Sequence, residues 1–144
     1  MRRGDFQYKE TRVSAKTILE NSNGQLPGNS NAAKKRSIFI ATDERDKSFF
    51  EPFLKKFGGK QYVYFLDDFI HPHLHGVNTN YYGMIDQLVA SKSRIFFGVY
   101  FSTFTGYIMR MRGYRSVHER IKGYENGIIP STYFYTPESV KFDM

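Results

Sequence analysis

The chain has 144 residues, 40% of them hydrophobic, with 14 Phe and 11 Tyr, no Cys and a formal charge of +7. At this length a single domain removes about two-thirds of its unfolded surface from water, so a packed core is available. A disulfide framework is excluded, no apolar run approaches the roughly 20 residues that span a bilayer, and the positive charge favours polyanionic partners without choosing among nucleotide diphosphates, nucleic acids and lipid headgroups.

Met1 is followed at once by Arg2, Arg3 and Asp5, so no apolar secretory signal region opens the chain. Residues 1–6 read as the end of a strand entering a loop. Over 11–21 the spacing of Val13, Thr17, Ile18 and Asn21, with Leu19 nearby, allows a helix. Residues 20–36, rich in Asn, Ser, Gly and Lys, read as a mobile surface loop. Ile38-Phe39-Ile40-Ala41 is a continuous apolar run, the pattern of a strand covered on both faces.

A helix follows from 46 or 47 to Phe57, with Phe49, Phe50, Phe53, Leu54 and Phe57 on one stripe and Gly58-Gly59 as its stop. Residues 61–66 form a second strand, closed by Asp67-Asp68. Residues 69–80 read as an irregular loop holding Pro72 and His71, His73 and His75. A helix over 81–91 carries Tyr81, Met84, Ile85, Leu88 and Val89 on one side. A third strand spans 94–99, and a last helix starts near Ser102 with Phe104, Tyr107, Ile108 and Met111 at helical spacing. Gly113 is expected to end it, leaving 114–144 as an irregular tail.

Alternating strands and helices predict an α/β fold with a Rossmann-like parallel sheet. Ligands of such sheets bind outside the carboxyl ends of the strands, which singles out 42–44, 67–69 and 98–104. In the last of these a glycine turn leads into a helix that opens with Ser102 and Thr103. The first amides of a helix lack partners and lie at the positive end of its dipole, so the segment suits a phosphate. Ser102 as a plain N-cap is the competing reading. His71, His73 and His75 would share one side of an extended strand, but they flank a proline and lack a fourth ligand, which favours ordinary loop histidines over a metal site. The aromatics sit in core-like runs, not along a basic face, which argues against a nucleic-acid partner.

The order Ile85-Asp86-Gln87, Phe96-Phe97-Gly98 and Ser102-Thr103-Phe104 resembles the signature of the GDP-fucose protein O-fucosyltransferases, in wording most similar to the type that modifies thrombospondin-type repeats. Ile38-Phe39-Ile40-Ala41-Thr42-Asp43 is similar to the family's strand ending in Ala-Thr-Asp. Arg2-Arg3-Gly4-Asp5-Phe6 is similar to the tail of its His-hydrophobic-Arg-Arg-x-Asp-Phe motif. The matches run in family order from residue 2 to about 113.

The resemblance implies a donor-binding domain over 1–113, the C-terminal half of a GT-B-type enzyme. The reaction it implies is metal-independent, inverting transfer of fucose from GDP-fucose to Ser or Thr of a folded protein acceptor, with no cofactor. Arg2 matches the family's essential arginine, which grips the β-phosphate; a guanidinium binds phosphate bidentately and keeps its charge. Asp86 matches the residue that reads guanine in related enzymes, since a carboxylate can accept from both the ring N–H and the exocyclic amine; an exposed helix Asp is the bland alternative. Ser102, Thr103 and Phe104 would cradle the phosphates, and Asp43 is a candidate for lining the pocket. The family works in the endoplasmic reticulum or Golgi lumen. Its His, two residues before the essential arginine, and the acceptor-binding half have no counterpart in the 144 residues. The isolated chain is therefore expected to bind GDP weakly and transfer no fucose at a useful rate. A GDP-sugar-binding module without catalysis is the alternative function.

Overall fold

The computed structural model describes residues 14–22, 37–99, 102–122, 125–127 and 132–135, the last for the backbone alone. The strand end expected at 1–6, and Arg2 with it, lie outside these residues. So does most of the segment expected to be a mobile loop. Its first residues are instead the end of a helix, and Ser22 there is buried. The chain forms two compact units, 1–77 and 78–144.

In the first unit, helix α1 (Ala15–Asn21) starts at Ser14, whose hydroxyl accepts from the Thr17 amide at 3.1 Å. Ala15, Ile18 and Leu19 are buried, and α1 packs against helix α2 (Glu51–Phe57). Strand β1 (Ile38–Phe39) pairs in parallel with β2 (Val63–Tyr64), in register Ile38 to Val63. The bond from Ile40 N to Tyr64 O, 2.9 Å, carries the pairing one residue further.

Between these strands a 3-10 turn, Lys47–Phe50, leads into α2. Asp46 caps the turn by accepting from the Ser48 amide, and hydrogen bonding from Ser48 holds its carboxyl below the usual range. The predicted stripe faces inward. Phe50 and Phe53 are buried with Val63 and Phe65, and the Phe50 and Phe65 rings lie 5.4 Å apart. Gly58, at φ 90°, ends α2 in the left-handed conformation that glycine adopts without a Cβ penalty.

The loop expected at 69–80 is corrected in its first part: helix α3 spans Asp67–His73. The Asp68 carboxylate accepts from the Phe65 amide at 2.8 Å, tying the helix start to the strand end. Lys47 joins the same corner, 3.0 Å from Asp67 and over the Phe65 ring. His71 and His73 are therefore on a helix, where residues two apart point to different sides, and His73 stacks on Phe69 instead.

In the second unit, a 3-10 turn, Thr79–Tyr81, leads into helix α4 (Tyr82–Ser91). Strand β3 (Phe96–Val99) and helix α5 (Thr103–His118) follow. The face of α4 expected to be buried is largely exposed: Tyr81, Met84, Leu88 and Val89 all face solvent. Asp86, Ala90 and Ser91 are buried in their place. Their small volume lets α5 approach closely, and Ala90, Phe96 and Ile108 form the core, with Phe104 and Met111 against it.

Gly113 does not end α5. A Cβ there would stand 2.7 Å from the carbonyl oxygen of Gly127, so this glycine admits another stretch of backbone against the helix. Nor is the region after 113 wholly irregular. Strand β4 (Thr132–Tyr135) pairs in parallel with β3, Phe96 to Thr132 through Val99 to Tyr135. Each unit is thus a parallel strand pair joined through helix, β1-α2-β2 and β3-α5-β4, which is an α/β architecture. No helix among the described residues is long and apolar enough to cross a membrane.

Candidate functional site

The second unit brings together the carboxyl end of β3, the first turn of α5 and the middle of α4. Ser102 has extended backbone and caps α5: its hydroxyl accepts from the Thr105 amide at 3.4 Å, and its carbonyl accepts from Gly106 N at 2.9 Å. The cap does not compete with a phosphate. A hydroxyl oxygen can accept one bond and still donate its own hydrogen. The amides of Thr103 and Phe104 precede the first intrahelical donor and point out of the helix, at the positive end of the dipole. Thr103 is exposed and Ser102 half-buried, so this turn is open to solvent. The opposite end of α5 carries Arg115, the charge sign that complements the dipole there.

Phe104 contributes its backbone here, while its ring packs on the core of Ala90, Phe96 and Ile108. Its carbonyl accepts from Gln87 Nε2 at 3.5 Å. That bond sets the 86–87 stretch of α4 beside the first turn of α5. Asp86, only 8% exposed, lies one turn before Ala90 on the face that α4 turns to the core. The alternative of an exposed helix carboxylate is thereby corrected. A largely desolvated carboxylate makes stronger hydrogen bonds than one in water.

Gly98 belongs to β3 and not to a turn; its place in the strand is explained by what lies over it. A Cβ would overlap the methyl of Thr105 and come 2.9 Å from the Phe96 ring. Asp43 stands in the first unit, exposed, four residues beyond Phe39 of β1, next to Thr42, whose hydroxyl accepts from the Glu44 amide at 3.0 Å. Arg2 lies outside the described residues. Among the described residues, no group of three or more His, Asp or Glu side chains could hold a metal ion.

Arg112 is a residue that sequence reasoning does not single out. It is 3% exposed on the inner face of α5, below Thr105 and Ile108, and its Nη1 donates to Ser93 O at 2.6 Å, Ser93 Oγ at 3.2 Å and Ser91 O at 3.3 Å. It therefore holds the carboxyl end of α4 against α5. Its spacing, four residues after Ile108, puts it on the same helical face, but its residue type reads as surface.

A family profile described as GDP-fucose protein O-fucosyltransferase matches residues 2–115. Comparison with curated proteins and with solved structures finds no match.

Proposed function

As the chain belongs to the GDP-fucose protein O-fucosyltransferase family, we propose that its α4–α5 site binds the GDP of GDP-fucose and serves fucose transfer to a Ser or Thr hydroxyl of a protein. The observation that carries the reading is the Gln87–Phe104 bond, 3.5 Å, with the burial of Asp86. They support the reading because the 86–87 stretch, with a carboxylate of the kind that can accept from guanine, borders an open helix N-terminus able to take phosphate.

In this reading the amides of Thr103 and Phe104 and the hydroxyls of Ser102 and Thr103 donate to the diphosphate. Arg2 places a guanidinium on the β-phosphate. The bond between fucose C1 and the β-phosphate oxygen breaks as the acceptor oxygen bonds C1 from the opposite face, and the hydroxyl proton leaves to a base. Negative charge grows on the departing GDP, so donors already fixed around it lower the barrier without a metal ion. Asp43 is the further residue that the family resemblance offers for the donor. Residues 1–113 act as the Rossmann-like donor half of a GT-B enzyme of the endoplasmic reticulum or Golgi lumen. The Asp86-Gln87 and Ser102-Thr103-Phe104 wording supports thrombospondin-type repeats as the acceptor.

Calorimetry with GDP, GDP-fucose and ADP tests the assignment. Wild type binds both guanine nucleotides at least about tenfold more tightly than ADP, a difference of about 1.4 kcal/mol. Asp86→Ala abolishes the preference, and Arg2→Ala weakens GDP and ADP together. Equal affinity for ADP in the wild type, or an Asp86→Ala protein that still prefers GDP, rejects the assignment.

A further inference from the structure

We propose that Gly98 and Thr105 are a pair of positioning residues that set the height of the phosphate-binding turn over the end of β3; the proposal rests on the donor-site reading above. Gly98 is not among the described glycines with positive φ, so conformational freedom does not explain it. Contact does. The Thr105 methyl occupies the space where a Cβ on Gly98 would be, and the Phe96 ring closes that space from the side, 2.9 and 3.0 Å from the same point.

Neither partner in this contact can easily withdraw. Gly98 lies within the β3–β4 ladder, in register with Phe134, and is itself buried. Thr105 is 4% exposed, in the first turn of α5, and its amide donates to the Ser102 hydroxyl. One residue therefore both donates its amide to the Ser102 cap and seats the turn on the strand through its methyl. An added carbon on the strand side lifts the turn; a missing carbon on the helix side lets it settle. Hydrogen bonds to a diphosphate tolerate only a few tenths of an ångström, so either change misplaces the Thr103 and Phe104 amides. Asp86 lies on α4, outside this contact, so the base end of the site is disturbed less than the phosphate end.

The readout that separates positioning from plain stability is the ratio of GDP affinity to guanosine affinity, measured on the full chain by ligand-observed NMR. A loss of folded protein lowers both affinities together; a displaced phosphate turn lowers only the first. Gly98→Ala is expected to reduce the ratio about tenfold. Thr105→Ser, which deletes the methyl alone, reduces it less. The double variant, which moves the methyl from one side of the contact to the other, returns the ratio toward wild type. Should Gly98→Ala not fold, Thr105→Val against Thr105→Ser decides: valine keeps the methyl and the ratio, while serine loses the methyl and lowers the ratio. A folded Gly98→Ala with an unchanged ratio, a double variant no better than Gly98→Ala, or a valine variant as impaired as serine overturns the proposal. A wild type that binds guanosine as tightly as GDP overturns the donor-site reading itself, and this inference with it.

Discussion

Arg112 takes a charged group into the interior of the second unit, where burial, and then the nearby charge of Arg115, lower its pKa from the ordinary arginine value. The group stays protonated because a guanidinium starts so high. What makes its burial tolerable is the set of acceptors at the end of α4, where helix carbonyls lack intrahelical donors and the dipole is negative. Its carbon stem and head also cover Phe96, with the guanidinium carbon 5.9 Å from the ring centre. Arg112→Ala strips the donors from Ser91 O and Ser93 O and opens a cavity beside the core, so urea unfolding should show a loss of about 2–4 kcal/mol. A change under about 0.5 kcal/mol, the range of ordinary surface substitutions, would show that the clamp contributes little. Residue type is misleading here: an arginine between Met111 and Gly113 reads as surface until the packing around α5 is known.

Glycines set the limits of what can be read from α5 as an element. A glycine inside a helix costs up to about 1 kcal/mol relative to alanine, which is why Gly113 reads as a stop. Two positions in the same helix separate the propensity effect from packing. A Cβ added at Gly106 would have nothing within 4 Å, whereas one added at Gly113 would face the Gly127 carbonyl at 2.7 Å. Gly106→Ala should therefore raise stability by about 0.5–1 kcal/mol through the unfolded chain and the helix propensity. Gly113→Ala should lower it by about 1–3 kcal/mol, because backbone must move to admit the methyl. Thermal unfolding of the two variants side by side checks this, and a stabilised Gly113→Ala would show that the approach of 125–127 to the helix is loose. Strand β4 does carry a legible signal within the expected tail: Thr132-Tyr133-Phe134-Tyr135 is a run of β-formers between Pro130 and Pro137.

For the molecule as a whole, ligand binding and stability are linked. A nucleotide that binds only the folded chain adds RT ln(1 + [L]/Kd), about 2.7 kcal/mol at a hundredfold excess over Kd. GDP should thus raise the melting temperature, and EDTA should leave the rise intact, because the proposed site holds the diphosphate with amides, hydroxyls and a guanidinium. A rise that vanishes with EDTA would place a metal ion in the site. The charge of +7 also predicts that GDP affinity falls as salt is added.

Periodicity and end signals determined α2, α4, the start of α5 and the apolar strands β1 to β3, because these depend on neighbours three to five residues away, as at the Ser102 cap and the Gly58 stop; α3, β4 and the far end of α5 were not legible in this way. The order of motifs along the chain likewise carried the family. Only the tertiary structure decided which way those elements face. It turned Asp86 and Ala90 of α4 inward and left Met84 and Leu88 outside, buried Arg112, and paired β3 with a strand more than thirty residues later. Such choices depend on what packs against an element, and a small side chain that admits a neighbouring helix can outweigh a larger apolar one that holds it off.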